Sequence, residues 1–214
     1  ITVTTTGAGT SLDDIDSFTV NGVAITKADN PTAVAAFINA AKKGGNIAVG
    51  SNSSAVGTAN IASGSASSAV GYMNTASGSA SSAVGFNNNA SGGASSAVGY
   101  NNTASGFVSS SAVGSQNNAS GSTSSAVGRL NQAKGHAANA FGIQNTVDHG
   151  VSGTNPFISD GLGRATANAF GSVNNVTGAG ATAVGTKNKA SGVVSSAFGT
   201  GATANRTGSI AFGG

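Results

Sequence analysis

Cysteine, tryptophan and glutamate are missing from this chain of 214 residues, methionine occurs once and proline twice. Without cysteine there is no disulfide framework and no thiolate metal site. Without glutamate, the usual closing ligand of a calcium loop is gone. Only 7% of residues are charged, with a net of +3, so the pI near 9.5 reflects a small surplus among few titratable groups. No block of Lys or Arg is present to grip a phosphate backbone, and nucleic acid is not an expected partner. No stretch reaches the roughly 18 apolar residues of a membrane helix, and no charged leader precedes an apolar run. Neither a span nor a signal peptide is expected within this sequence. The 34 glycines follow no G-X-Y triplet, which excludes collagen.

What the chain does have is one short phrase, repeated from Gly57 to Gly213: SSAVGYMNTASG (Ser67–Gly78), SSAVGFNNNASG (Ser81–Gly92), SSAVGYNNTASG (Ser95–Gly106). Glycine recurs every seven residues, and two residues before it stands Ala, replaced only by Val147 and Val176. A period of seven suggests a coiled coil, but there is no Leu or Ile seam. The halves A-V-G and A-S-G alternate, so the true period is fourteen, the mark of a β-solenoid.

Neighbouring side chains of a strand point to opposite faces. In A-V-G the Ala then points into an interior so narrow that a methyl nearly fills it. Ala62, Ala69, Ala76, Ala83, Ala90, Ala97 and Ala104 are its expected lining. Glycine stands where the backbone turns or passes too close for a Cβ. The residue between points outward. In one half of each coil it is apolar, as Val56, Val70, Val84, Val98, Val113, Val127, Phe141, Phe170, Val184, Phe198 and Phe212, and in the other it is mostly Ser. Such a column should not face water. A buried methyl contributes about 0.8 kcal/mol, against about 1–2 kcal/mol of entropy per ordered backbone residue. Several rolls are therefore expected to pack their Val/Phe columns together. An axial trimer suits a narrow ridge, although these residues imply association without fixing the number three.

Residues 1–45 lie outside the repeat. ITVTTT (Ile1–Thr6) reads as a strand, and FTVNGVAIT (Phe18–Thr26) as a hairpin about Asn21-Gly22. A helix is expected from Pro31 to Lys43, capped by Asp29 or Asn30, with Val34, Phe37, Ile38 and Ala41 on one face. The second region, 46–214, slips by one residue at Gly114. It is interrupted at Gly150–Gly163 (GVSGTNPFISDGLG), an insertion at about 150–164. Insertions in solenoids are loops on one face and often sites of binding. Asn155 and Phe157 are its candidate contacts, with packing against a neighbouring subunit as the alternative role for Phe157 or Ile158.

The run Asn60-Ile61-Ala62-Ser63-Gly64-Ser65-Ala66-Ser67-Ser68-Ala69-Val70-Gly71, recurring in register through Asn188–Gly199, resembles the N-x-A-x-G-x-x-S-x-A-x-G coil of trimeric autotransporter adhesin heads, whose type example is the Yersinia adhesin. The wording SSAVG, ASG and AFG is especially similar to heads of Burkholderia adhesins. The resemblance covers about Asn46 to Gly214. It implies an all-β fold: a left-handed parallel β-roll of 14-residue coils, three chains about a threefold axis with the Val-bearing strand inside, beside a small α/β N-terminal region. It also implies a cell-surface adhesin of the bacterial outer membrane, a virulence factor that attaches to host extracellular matrix, to a cell-surface receptor or to its own kind. Membrane contact is then expected only through a C-terminal anchor outside this sequence. The chain departs from the pattern at His149 and Arg206, where glycine is due. It departs again at Ser68, Ser82 and Ser96, where the family has an aliphatic residue, so collagen specificity is not carried over.

Residues able to do chemistry are few, and neither an enzyme nor a cofactor is expected. Asp13, Asp14 and Asp16 cluster without a partner histidine, and His136 and His149, thirteen residues apart, could sit on adjacent layers but are too few for a zinc site. The glycines never precede G-K-[ST]. A left-handed β-helix acyltransferase would need a catalytic histidine, for which His149 is the candidate; an ice-binding solenoid would need a regular Thr-x-Thr face. Tyr72, Phe86 and Tyr100 fall at one-coil spacing, followed by Ser115, Arg129 and Ile143. Tyr72, Phe86, Tyr100 and Arg129 are thus either a ribbon for a fibrous partner or an aromatic ladder shielding the roll edge. The adjoining Met73, Asn74, Asn87, Asn88, Asn101 and Asn102 are expected to form a solvated polar ladder. A surface spacer or biofilm scaffold is the alternative to adhesion.

Overall fold

The computed structural model describes residues 2–5, 15–20, 23–26, 45–149 and 166–214. Strands β1 (Thr2–Thr5), β2 (Ile15–Val20) and β3 (Val23–Thr26) form an antiparallel sheet in the order β1-β2-β3. Val20 pairs with Val23, the register of a two-residue hairpin. The helix expected over 31–43 lies outside the described residues.

From residue 46 the chain is an all-β parallel solenoid. Each coil runs through a five-residue strand such as Ser68–Tyr72, a turn, a two-residue strand such as Thr75–Ala76, and a second turn. The long strands stack into one 11-stranded sheet and the short strands into another. Pairing steps by one coil, with Ser68 on Ser82, Ala69 on Ala83 and Val70 on Val84, so each position of the repeat lies on its own kind. The repeating phrase is thereby turned into columns.

Both alanine columns are buried, fully at Ala62, Ala69, Ala76, Ala83, Ala90, Ala97 and Ala104 and partly at the end positions Ala48, Ala55 and Ala211. Val147 and Val176, the two exceptions to alanine, are stacked on each other in the short-strand column. At Gly71 the backbone has φ +120°, and a Cβ built there would collide with the carbonyl of Gly85. This is close approach of one coil to the next, beyond what any other residue tolerates.

A third buried column is polar, and here the structure corrects the sequence reading. Asn74, Asn88 and Asn102 are not part of a solvated ladder; they are buried, together with Asn60, Asn117, Asn131, Asn145, Asn174 and Asn188. Asn88 Nδ2 donates to Asn74 Oδ1 (2.9 Å), to the Val84 carbonyl (3.0 Å) and to the Gly99 carbonyl (2.7 Å). Its Oδ1 accepts from the backbone N–H and the Nδ2 of Asn102, both at 3.0 Å. The amide thus ties a long strand, the turn after it and both adjacent coils, which is what permits its burial. Met73, Asn87 and Asn101, by contrast, are exposed at the turn, where Asn87 Nδ2 donates to Asn101 Oδ1 at 3.1 Å.

Turn tips are the second surprise. One residue per turn is left-handed, and it is usually not glycine: Met73 (φ 57°), Ala80 (φ 53°), Asn87 (φ 52°), Ala94 (φ 51°) and so on to Val194 (φ 53°), with Gly180, Gly201 and Gly208 as exceptions. The repeat glycines serve close approach, while Ala, Asn and even β-branched Val bear the strain of the tips.

Candidate functional site

With its interior filled by methyls and amides, the roll can act only through its outward columns. The long-strand sheet presents three. The central one stacks Val56, Val70, Val84, Val98, Val113, Val127, Phe141, Phe170, Val184, Phe198 and Phe212 in continuous register. In the single chain this column is open: Val56 is 55% and Phe212 81% exposed, while Val84, Val98, Val127, Phe141 and Phe198 are half-buried by their neighbours in the stack. Phe141 and Phe170 stack at 5.3 Å between centroids, and Phe198 and Phe212 at 5.5 Å. Two residues further along each strand lies the second column, in which Tyr72, Phe86 and Tyr100 are stacked and exposed, followed by Ser115, Arg129 and Ile143. The third is a row of small polar residues, among them Ser68, Ser82 and Ser96.

The departures from strict periodicity fall in one place. The extra residue before Gly114 is absorbed in the turn that follows the short strand. There Ser109 takes the left-handed tip, and Phe107 (63% exposed) and Val108 are pushed outward. The fifteen extra residues enter at the same turn, after His149. The coils on either side pair directly: Asn139 with Asn168 in the long sheet and Thr146 with Asn175 in the short one. The coils that flank the insertion are thus direct neighbours in both ladders. Asn155 and Phe157 lie outside the described residues.

His149 fills the place of a repeat glycine. Its ring lies against Gly135, where a Cβ would collide with it, and its Nε2 is 2.8 Å from the His136 carbonyl oxygen. The two histidines do sit on adjacent coils, joined ring to main chain. Among the described residues no group of three His, Cys, Asp or Glu side chains is placed to hold a metal. Arg206, the other departure, is exposed at its turn.

Sequence reasoning missed the buried amide column. Its signal was present: asparagine holds one place in nine coils while the residue before it changes from Met73 to Asn87, Gln116, Leu130 and Lys187.

The family model of the YadA head domain repeat matches at residues 48–72, 62–88, 76–102, 108–130, 177–193 and 190–214, together more than half of the chain. The matches leave out 103–107, next to the extra residue, and 131–176, which contains His149 and the insertion. No curated protein matches the chain.

Proposed function

The chain belongs to the YadA head-repeat family, and from that premise we propose that it is the adhesive head of a homotrimer displayed on a bacterial outer membrane, attaching to host extracellular matrix or cells or promoting autoagglutination. Heads of this family are in general homotrimeric, surface-exposed adhesins and not enzymes. The observation that carries the reading is the continuous outward Val/Phe column. An open apolar line of that length is a surface for association. Three copies brought together along it bury the column and leave the short-strand faces and turns outside. Those faces repeat Thr, Asn and Ser every coil, a surface suited to many weak contacts made in parallel.

The test is solid-phase binding of the full chain to collagen, fibronectin and laminin at several salt concentrations, beside a variant lacking 150–164. That deletion leaves His149-Ala165-Thr166-Ala167, the length of an ordinary turn. Binding lost with the deletion places recognition on the insertion, and unchanged binding places it on the outward columns or on residues 1–45. A trimer that neither binds matrix or cells nor agglutinates contradicts the adhesive reading and favours a spacer.

A further inference from the structure

Symmetry decides which parts of the chain can meet in the homotrimer proposed above, on which this inference rests. All long strands cross their sheet in the same direction. A threefold axis parallel to the stack keeps that sense, so the end of each long strand comes round to the start of the same strand in the next chain, at unchanged height. Three seams result along the edges of the assembly. Each sets the column of strand ends against the turns that open those strands.

Rung by rung, the two sides of this seam are complementary in size. The strand ending in Tyr72 is opened by the turn at Ser65, that of Phe86 by Ser79, that of Tyr100 by Gly93 and that of Arg129 by Ser122. At the rung between Tyr100 and Arg129 the sizes are exchanged. There the strand Ser111–Ser115 ends in a hydroxymethyl group and is opened by Phe107 and Val108. The Ser109 N–H donates to the Gly93 carbonyl (2.8 Å) and the Thr123 N–H to the Val108 carbonyl (2.7 Å), which gives Val108 the regular place in this row of turns. Phe107 is therefore the extra residue of its coil, and it is 63% exposed. The slip puts a ring at the one height, between Tyr72 and Ile143, where the facing column is smallest.

We propose that Phe107 of each chain seats on the Ser115 rung of the next, a knob that fixes the axial register of the trimer. Tyr72, Phe86 and Tyr100 already stack with centroids 5.3 Å apart. With strands about 4.8 Å apart, the Ser115 rung leaves about 10 Å between Tyr100 and Arg129, room for one ring. A ring entering there continues the stack on Tyr100. Its other face lies inside the roughly 6 Å over which a guanidinium is drawn to an aromatic ring, and Arg129 is exposed. The solenoid needs such a device. One coil is nearly like the next, so a chain displaced by one rung keeps most of its Val/Phe contact, and register is weakly specified by that column alone. A displaced Phe107 meets Tyr100 or Arg129 where it needs a space.

The test joins Phe107→Cys with Ser115→Cys in this cysteine-free chain and adds a short bismaleimide linker. Within one chain the two positions flank a whole strand, about 13 Å from Ser111 to Ser115 alone, so linkage between them joins different chains. The expected product is a covalent trimer, formed by most of the chains. Ser65→Cys with Ser115→Cys, three rungs or about 14 Å out of register, should give little. An exchange of side chains supplies a second readout, thermal unfolding at one fixed concentration. Phe107→Ser removes the knob and Ser115→Phe fills its place, so each alone should lower the melting temperature by several degrees. The double variant, with one ring again at that height, should recover most of the loss. The column already holds a ring at Phe86, so Ser115→Phe keeps the fold. A trimer by analytical ultracentrifugation in which the two cysteine pairs link equally, or in which the two losses simply add, overturns the knob and leaves the trimer standing. A folded monomer removes the trimer and the knob together. Binding to matrix or cells is untouched by either result.

Discussion

Asn87, Asn88 and Asn89 are consecutive and chemically identical, yet the fold gives them three different surroundings. Asn87 is an exposed turn tip with one amide bond to Asn101, and Asn89 faces outward from the short strand. Asn88 is buried and takes part in five hydrogen bonds through its side chain. Replacing Asn88 by Ala strips donors from the Val84 and Gly99 carbonyls and leaves the Asn102 backbone N–H with no acceptor. One orphaned buried donor costs about 1–3 kcal/mol and each net bond lost about 1 kcal/mol, so Asn88→Ala should cost about 3–5 kcal/mol. Asn87→Ala and Asn89→Ala should each cost under about 1 kcal/mol. At roughly 2–4 °C per kcal/mol for a chain of this size, the melting temperature should drop by about 6–20 °C for Asn88→Ala alone. The assay is thermal unfolding by circular dichroism at one fixed protein concentration, because an oligomer's melting point depends on concentration. Asn88→Asp should be worse still at neutral pH, since a carboxylate would face three acceptors. Its carboxyl pKa would be raised in the folded state above the unfolded value, so folding binds a proton and stability recovers as pH falls through that raised pKa. Equal losses across the three alanine variants would refute the amide column as a source of stability.

Gly85→Ala should prevent folding or cost at least about 4 kcal/mol, because its φ of +119° and the carbonyl of Gly99 leave no room for a methyl. Gly201→Ala, at φ +69° with nothing nearby, should cost only about 1 kcal/mol, and denaturant titration distinguishes the two. Val194→Gly should stabilise by about 0.5–1 kcal/mol, since relief of a β-branched left-handed residue outweighs the added backbone entropy. Gly180 and Gly208 already hold the same place in the adjacent coils, and a raised melting temperature is the readout. Val84→Asp combined with Val98→Asp should abolish the oligomer and leave the chain largely unfolded; a folded monomer in analytical ultracentrifugation would refute this.

The period of fourteen, the inward alanines and the outward Val/Phe column were legible because each rests on side-chain alternation, which needs no knowledge of what lies above or below. The amide column was not, because asparagine is ordinarily a surface residue and its burial is tolerable only once coil-to-coil register brings partners on both adjacent coils, such as Asn74, Gly99 and Asn102 for Asn88, within reach. The turn tips were hidden for a related reason. Glycine is the expected left-handed residue, but here the carbonyls of adjacent coils claim the glycines at Gly71 and Gly85, and the tips fall to Met73, Ala80 and Asn87. The insertion was legible in length and place. That the coils on either side of it are direct neighbours followed only from the pairing of Asn139 with Asn168. Of the candidate contacts, the stacking of Tyr72, Phe86 and Tyr100 was readable from their one-coil spacing.

The claim on which the account turns is that identical chains meet along the Val/Phe column, and a chain without cysteine allows a direct measurement. Val98→Cys, oxidised under mild conditions and run without reductant, should yield covalently linked chains in high proportion, while Thr75→Cys on the short-strand face should yield few. Linkage through position 75 with none through position 98 would contradict it.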